Sequence, residues 1–419
     1  MVAIRPDAQN PQAARSGPQA VPQPASPIAN PVANPAQPPA TPPVPNPTLN
    51  IVDVRKLTRL DFNDCVEFAL PASQAGQAAE TPPAKAYTAA QRVPPHGKTL
   101  PTDLRKIDES KLLAETGGQG SLWAVGDWKP GARPLILVHG IGSDFADLQP
   151  IIDKFKDAKP PRQIMVYAYS DLGEFTEENG VQLAYQMTAL KRDYPWSDSL
   201  DIVAHSMGGI VGRRALNELA AGQLGGIEKF KDISFTAVDT PWHGFPGPGI
   251  RLNVVQGGMD MQASSELFTG TDEMPDEASR KGLTGVALPP QVKVNLLFAD
   301  NEAAGLKRDG IKDYTDFIKD LKPAKLEKFV HAMTRGNREQ MLKQMPLQAF
   351  NLFSALQADS QWPQLRQEMM DLQDSRQLSN ESLSKLLQRY LPRFAGEHSG
   401  VLANPALLTA VAGRLGQAQ

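Results

Sequence analysis

A serine at position 206 stands where an apolar run gives way to a helix-like segment. The run "LDIVAHS" ends on this serine, and "MGGIVGRRALNELA" follows at once. A hydroxyl is a poor nucleophile at neutral pH, so it needs a base, a group that orients the base, and donors for an oxyanion. A sharp strand-to-helix turn supplies one donor, because it places the backbone N–H of Met207 at the positive end of a helix. The position of Ser206 therefore indicates nucleophilic catalysis.

Small residues flank Ser206 at the spacing that such a turn requires. Ala204 lies two positions before the serine and Gly208 two positions after it, which gives A-x-S-x-G rather than G-x-S-x-G. The five-residue pattern alone is compatible with an ordinary turn. Its place after a strand and before a helix favours a nucleophile.

Apolar runs alternate with helix-like segments in the region that must position this serine. The runs are "PLILVHGIG" (134–142), "QIMVYAYS" (163–170), "SLDIVAHS" (199–206), "DISFTAVDTP" (232–241) and "QVKVNLLFAD" (291–300). Continuous apolar strands separated by helices predict a mostly parallel sheet that is covered on both faces, an α/β fold. Residues 311–392, rich in Met, Leu and Gln, predict a large helical insertion. The segment "NPALLTAVAGRL" predicts a closing helix that starts at Asn404 or Pro405.

The amino-terminal part differs in composition from the rest of the chain. Residues 1–50 hold 14 of the 37 prolines and no aromatic residue, which predicts a disordered tail. That tail could be a tether, a recognition tail or an export signal. Residues 51–115 predict a linker with short local structure, and residues 116–419 a single α/β domain.

Composition excludes several classes of function. The formal net charge of −3 gives no reason to expect a nucleic-acid partner. The single cysteine, Cys65, offers neither a disulfide framework nor metal-ligand spacing, so we expect no metal and no other cofactor. There is no run of about 18 apolar residues and no secretory signal pattern. We therefore expect the protein to be cytoplasmic or exported by a route other than the general secretory one. The oligomeric state is not indicated.

Six histidines are present, and His398, His139 and His243 are the candidates for the base at this point. Position in the chain favours His398. It lies in "GEHSGVL", just before the closing helix, and follows the nucleophile in chain order. His96 falls in the linker and His331 in the helical insertion. The ring of His205 is expected to turn away from the site, because consecutive strand residues point in opposite directions.

Four segments together resemble bacterial lipases and esterases of the α/β-hydrolase superfamily. They are "LILVHGIGSDFADLQPII", "LDIVAHSMGGIVGRRAL", "FTAVDTPWHG" and "GEHSGVLANP". The resemblance covers about residues 130–300 and the last 25. It implies an α/β-hydrolase fold, a catalytic role for His398, and pocket-shaping roles for His139 and His243. The second oxyanion donor is expected from the loop after the first strand, at the backbone N–H of Ile141 or, as a weaker alternative, Gly142.

Three aspartates are candidates for the group that orients His398. Asp300 ends an apolar strand where the family normally carries its carboxylate, and it is the preferred candidate. Asp309, in "RDGIK", resembles a variant of the same loop. Asp239, in "AVDTP", ends the preceding strand, which some lipases use instead. Any strand-end aspartate can also cap a helix or brace a turn.

These features predict a serine hydrolase that cleaves carboxylic esters through a Ser-His-Asp triad and an acyl-enzyme. The expected substrates are lipids or other long-chain acyl esters. Either residues 245–268 or the helical insertion could cover the pocket. The insertion is locally basic over 322–343, with six Lys or Arg against two Glu. Its apolar helical face (Leu326, Phe329, Val330, Met333) could pack on the core, or could act as a lid that contacts a membrane.

Three other functions remain open at this point. The same fold serves peptidases and inert scaffolds. An exported effector that attacks the phospholipids of another cell would also fit this sequence.

Overall fold

The computed structural model describes residues 99–194, 198–244, 265–271, 277–299, 314–337, 340–341, 343, 353, 355–396, 398 and 400–415. The predicted tail (1–50), most of the predicted linker and Cys65 lie outside these residues. So do most of the segment 245–268, Asp300 and Asp309.

Seven strands of the described residues form one sheet. They are β1 Ser121–Ala124, β2 Arg133–Val138, β3 Arg162–Ala168, β4 Ser199–His205, β5 Asp232–Val238, β6 Val292–Ala299 and β7 Arg393–Phe394. Their order across the sheet is β1-β3-β2-β4-β5-β6-β7, and only the β1–β3 pair is antiparallel. All five strands predicted from apolar runs are present. The sequence analysis missed β1 and β7, which are short.

Helices cover the sheet and build the insertion. They are α1 Glu109–Glu115, α2 Gln149–Phe155, α3 Thr176–Asp193, α4 Met207–Ala221, α5 Glu266–Thr269, α6 Glu277–Gly285, α7 Tyr314–Lys319, α8 Pro323–Thr334, α9 Trp362–Asp374, α10 Asn380–Tyr390 and α11 Pro405–Arg414. The closing helix α11 begins as predicted. The side chain of Asn404 caps it by accepting hydrogen bonds from the backbone N–H groups of Ala406 and Leu407.

The core has two apolar layers, one on each face of the sheet. Neighbouring strand residues alternate between the layers, with Ile202 in one and Val203 in the other. Helices α3 and α4 cover the first layer, whereas α1, α2 and α11 contribute to the second. Since both faces of the sheet are covered, most strand residues are buried and apolar side chains predominate in the middle of the strands. This explains why they read as continuous runs in the sequence.

The helical insertion packs on the first layer of the core. In α8 the predicted apolar face, formed by Leu326, Phe329, Val330 and Met333, is buried. The connection before α9 also bonds to strand β6. There Asp359 Oδ2 accepts the backbone N–H of Leu296 at 2.8 Å, and the N–H of Ser360 donates to the carbonyl of Val294 at 2.6 Å. These contacts agree with the alternative in which the apolar face of α8 packs on the core.

Residues 100–112 pack on the second apolar layer, within the segment predicted as a linker with short local structure. Leu100, Leu104 and Leu112 are buried in the second apolar layer. The backbone N–H of Leu100 donates to the carbonyl of Ala124 at 2.8 Å, which ties this segment to β1. The short local structure predicted within 51–115 thus includes three buried leucines, and the boundary between linker and domain stays a prediction.

Candidate active site

Ser206 occupies the turn between β4 and α4. Its backbone has φ 54° and ψ −128°, a conformation that non-glycine residues rarely adopt and that costs energy. Neighbouring strands hold the turn in place, because the N–H of Ser206 donates to the carbonyl of Val238 at 2.9 Å. The hydroxyl therefore stands at the carboxyl edge of the sheet, and the N-terminus of α4 begins at Met207.

Glycines around this turn allow two backbones to approach closely. A Cβ added at Gly208 would lie 2.2 Å from the carbonyl oxygen of His139 and 2.7 Å from that of Val138. A Cβ added at Gly140 would lie 2.7 Å from the Cβ of Ser206. The glycine two positions after the serine is thus required by contact with the loop that follows β2, as the A-x-S-x-G spacing predicts.

His398 connects Ser206 to a buried carboxylate. Its Nε2 lies 2.7 Å from Ser206 Oγ, and its Nδ1 lies 2.8 Å from Asp239 Oδ2. The Asp239 side chain is fully buried, whereas that of His398 is 13% exposed. A neutral imidazole in this position donates Nδ1–H to the carboxylate and accepts the hydroxyl proton at Nε2. The three side chains are thus hydrogen-bonded in the order that a serine nucleophile, a general base and an orienting acid require.

Among the described residues, the carboxylate that contacts His398 is that of Asp239. Strand β5 lies beside β4 with Val238 level with His205, so the residue after each strand, Asp239 or Ser206, reaches the same edge. Asp239 has φ 52°, and its second carboxylate oxygen accepts the N–H of Ala299 at 2.9 Å. Asp300, one residue further along, lies outside the described residues. The structure gives the position next to His398 to a candidate that we had ranked below Asp300.

The loop after β2 places its backbone beside Ser206. The N–H of Gly142 donates to Asp171 Oδ2 at 2.6 Å, so this weaker candidate donor is already occupied. Ile141 is half-buried and packs against the first apolar layer, while Met207 is fully buried. The oxyanion roles of the Met207 and Ile141 N–H groups stay predictions, and this placement is compatible with them.

The fold, the turn at Ser206 and one family comparison agree. Residues 132–261 match the profile of a family described as "Putative serine esterase (DUF676)". This segment contains β2 to β5, Ser206 and Asp239. The chain is an α/β-hydrolase superfamily protein. The match and the strand-to-helix serine support a serine hydrolase.

Solved structures that this hydrolase resembles include two lipases and an epoxide hydrolase. The Bacillus licheniformis lipase BlEst2 in mature form is 15% identical over 45% of this chain and 80% of that chain, with a TM-score of 0.31. Aspergillus fumigatus lipase B is 18% identical over 28% of this chain and 27% of that chain, with a TM-score of 0.24. The epoxide hydrolase VrEH1 from Vigna radiata is 15% identical over 30% of this chain and 36% of that chain, with a TM-score of 0.22. No curated protein matches the chain.

The ring of His205 contacts the loop that carries His398, which the sequence analysis did not foresee. His205 Nε2 lies 2.9 Å from the backbone carbonyl oxygen of His398, and the two ring centroids are 4.7 Å apart. Burial lowers the pKa of His205 well below its usual value, and the nearby His398 lowers it further. The ring is therefore neutral and donates Nε2–H to this carbonyl. The alternation rule predicted a ring turned away from the site, whereas this ring lies beside that of His398.

A second polar cluster lies behind the loop after β2 in the hydrolase. His139 is buried, and its Nε2 lies 3.0 Å from Glu109 Oε1 in α1. Tyr169 Oη donates to the carbonyl of His139 at 2.7 Å. Burial alone would lower the pKa of His139, but Glu109, Asp171 and the Gly140 carbonyl raise it to about 9. The sequence analysis predicted a pocket-shaping His139 but missed Glu109, Tyr169 and Asp171, because they come from separate segments.

The remaining histidines are His243, His331 and His96. His243 is buried after β5, His331 is exposed on α8, and His96 is not among the described residues. Within the part of the chain that the structure describes, no group of three or more His, Cys, Asp or Glu side chains could hold a metal ion. Among the described helices, none has the length and apolar composition needed to cross a membrane.

Proposed function

We propose that this hydrolase cleaves carboxylic esters through an acyl-enzyme on Ser206. The observation that carries the proposal is the pair of hydrogen bonds made by His398, at 2.7 Å to Ser206 Oγ and 2.8 Å to Asp239 Oδ2. Both distances lie within the range needed for proton transfer and orientation.

The proposed reaction proceeds in two halves. His398 Nε2 takes the hydroxyl proton as Ser206 Oγ attacks the ester carbonyl carbon, and the carbonyl oxygen becomes an oxyanion. When the C–O bond breaks, the alcohol leaves with the proton held by His398. A water molecule then gives a proton to His398 and attacks the acyl carbon. The acid product departs, and Oγ regains its proton.

Two backbone N–H groups, those of Met207 and Ile141, are proposed to receive the oxyanion. The first begins α4, so the positive end of the helix adds to its effect. Asp239 is proposed to hold the imidazole in the tautomer that accepts at Nε2 and to stabilise the imidazolium. Its own orientation is supported by the N–H of Ala299.

The proposed substrates are lipids or other long-chain acyl esters. Ile141 and Met207, which flank the oxyanion position, both belong to the first apolar layer, and an acyl chain would find apolar neighbours there. A peptide substrate, an inert scaffold and an effector directed at phospholipids of another cell are the alternatives.

A chain-length series of p-nitrophenyl esters, with phosphatidylcholine included, tests both parts of the proposal. We expect turnover that increases from acetate to longer chains, and loss of turnover in Ser206→Ala and His398→Gln. Ser375→Ala, which removes an exposed hydroxyl at the end of α9, serves as the control and should retain full activity. A folded wild type without turnover would favour the scaffold, whereas a sharp preference for acetate would contradict the long-chain substrate.

We also propose peripheral contact with an anionic lipid surface through the exposed face of α8. Lys325 and Lys328 are exposed on this face, Lys322 and Arg335 are exposed just before and just after the helix, and the apolar face of α8 is buried. Such a face would attract anionic head groups without exposing the core. Co-sedimentation with vesicles of phosphatidylcholine, alone or mixed equally with phosphatidylglycerol, tests this contact. Binding should need the anionic lipid and fall in the Lys325→Glu, Lys328→Glu double variant but not in Lys385→Glu. Equal binding to both vesicles would contradict it.

A further inference from the structure

We propose that Glu109 is a positioning residue that fixes the oxyanion loop, residues 139–142, through the side chain of His139. Glu109 precedes the family-matched segment, and none of the comparisons assigns it a role. The inference deepens the proposed function and rests on it, because it concerns the donor at Ile141.

Glu109 holds His139 from a separate segment of the chain. Its Oε1 lies 3.0 Å from His139 Nε2 and also accepts the backbone N–H of Tyr169 at 3.0 Å. The Glu109 side chain is 12% exposed and that of His139 is 1% exposed, so water does not replace these contacts readily. The carboxylate therefore connects α1, the residue after β3 and the loop after β2.

The other nitrogen of His139 acts on the loop itself. His139 Nδ1 lies 2.8 Å from the carbonyl oxygen of Gly140. Since a carboxylate and a carbonyl can only accept, both ring nitrogens must donate, which makes the ring an imidazolium. The carbonyl of Gly140 and the N–H of Ile141 belong to one planar peptide and point in opposite directions. Fixing the carbonyl towards His139 therefore fixes the direction of the proposed oxyanion donor.

Further contacts support the loop at both of its ends. Tyr169 Oη donates to the carbonyl of His139 at 2.7 Å, and Asp171 Oδ2 accepts the N–H of Gly142 at 2.6 Å. The peptide between Gly140 and Ile141 thus lies between two anchored residues. An oxyanion donor works by being oriented before the reaction, so loss of one anchor should slow the chemical step.

Charged and titratable groups around His139 come from three elements. Glu109 lies on α1, Asp171 and Tyr169 follow β3, and the neutral His205 ends β4. Burial lowers the pKa of His139, but the two carboxyl groups and the Gly140 carbonyl raise it to about 9. At neutral pH this leaves the imidazolium that the hydrogen-bond pattern requires.

The test compares Glu109→Ala with Glu109→Gln and with Glu115→Ala at the other end of α1. The measurements are kcat and KM on the best p-nitrophenyl ester, and the inhibition constant of an alkyl trifluoromethyl ketone. That ketone forms a tetrahedral adduct on Ser206. For Glu109→Ala we expect kcat to fall about tenfold and the ketone to bind about tenfold more weakly, with KM within about twofold. Glu109→Gln should recover part of both, because its Oε1 can still accept the N–H of Tyr169 and the Nε2–H of His139, although a neutral amide no longer favours the imidazolium. Glu115→Ala should behave as wild type.

The outcomes separate this inference from the proposed function. An active wild type and a folded Glu109→Ala with unchanged kcat and ketone binding would overturn the positioning role alone. A wild type that neither hydrolyses esters nor binds the ketone would overturn the proposed function and this inference with it. If Glu109→Ala does not fold, ¹⁵N NMR of the wild type at pH 7.5 decides. Two protonated ring nitrogens on His139 are expected, and a singly protonated ring would overturn the role.

Discussion

Asp239 Oδ2 lies 2.8 Å from His398 Nδ1, although the two residues are 159 positions apart in the chain. The contact arises because β5 lies next to β4, which brings the residue after β5 to the height of Ser206. A buried carboxylate in this position needs a partner, and His398 together with the N–H of Ala299 supplies it.

Replacing Asp239 by asparagine should abolish most activity. An amide in this place would favour the wrong imidazole tautomer, so we expect kcat to fall by roughly 10³- to 10⁴-fold. The matched control is Asp300→Asn, which should keep near-normal turnover of p-nitrophenyl esters. If Asp300→Asn loses most of its turnover while Asp239→Asn stays active, the orienting acid is Asp300 and the assignment to Asp239 is wrong.

A methyl group at position 208 should damage both the turn and the loop that it contacts. In Gly208→Ala the added Cβ would meet the backbone carbonyl of His139 at 2.2 Å, and a backbone cannot move aside cheaply. We expect destabilisation of about 1–3 kcal/mol and a strong loss of kcat. The control Gly413→Ala, in α11 with no atom within 4 Å of the added Cβ, should stabilise by about 0.5 kcal/mol. Urea unfolding measures the change in stability of both variants. A Gly208→Ala protein as stable as the wild type would contradict the close contact between Gly208 and the backbone of His139.

The free energy of unfolding should fall as the pH rises from about 6.5 to beyond 9. The folded-state pKa of His139 is raised from 6.5 to about 9, so its contribution is complete below pH 6.5 and is lost as the pH passes through about 9. The shift corresponds to a loss of up to about 3 kcal/mol. Urea unfolding at several pH values should show that the free energy of unfolding falls less with pH in Glu109→Gln than in the wild type. Identical pH dependence in both proteins would mean that the carboxylate does not sustain the imidazolium.

Removing the donor of His205 should slow turnover moderately. His205→Phe keeps a buried ring but leaves the carbonyl of His398 without the contact at 2.9 Å. We expect kcat to fall by about three- to tenfold, since a hydrogen bond of this kind contributes about 1 kcal/mol. His331→Phe is the matched control on α8, and its kcat should match the wild type. A His205→Phe enzyme with the kcat of wild type would show that the loop holds His398 unaided.

Much of the sheet could be predicted because its strands are buried on both faces and read as continuous apolar runs. The place of Ser206 and the late His398 were also visible, since the turn needs small neighbours and few histidines compete. The contact between Asp239 and His398 was not visible, because several strands end in aspartate and the order of the strands in the sheet cannot be read from the sequence. Glu109 was missed for a related reason. Glu109 lies in a short polar helix, and no pattern in the sequence around it indicates a contact with a buried histidine 30 positions later.

Labelling with a fluorophosphonate probe, followed by peptide mapping, tests the central claim most directly. The account predicts one adduct, on the peptide that contains Ser206, in the wild type and in the control Ser375→Ala, whose serine is exposed at the end of α9. It predicts no adduct in Ser206→Ala. A folded wild type that stays unlabelled, or an adduct that persists in Ser206→Ala, would contradict the assignment of Ser206 as the nucleophile.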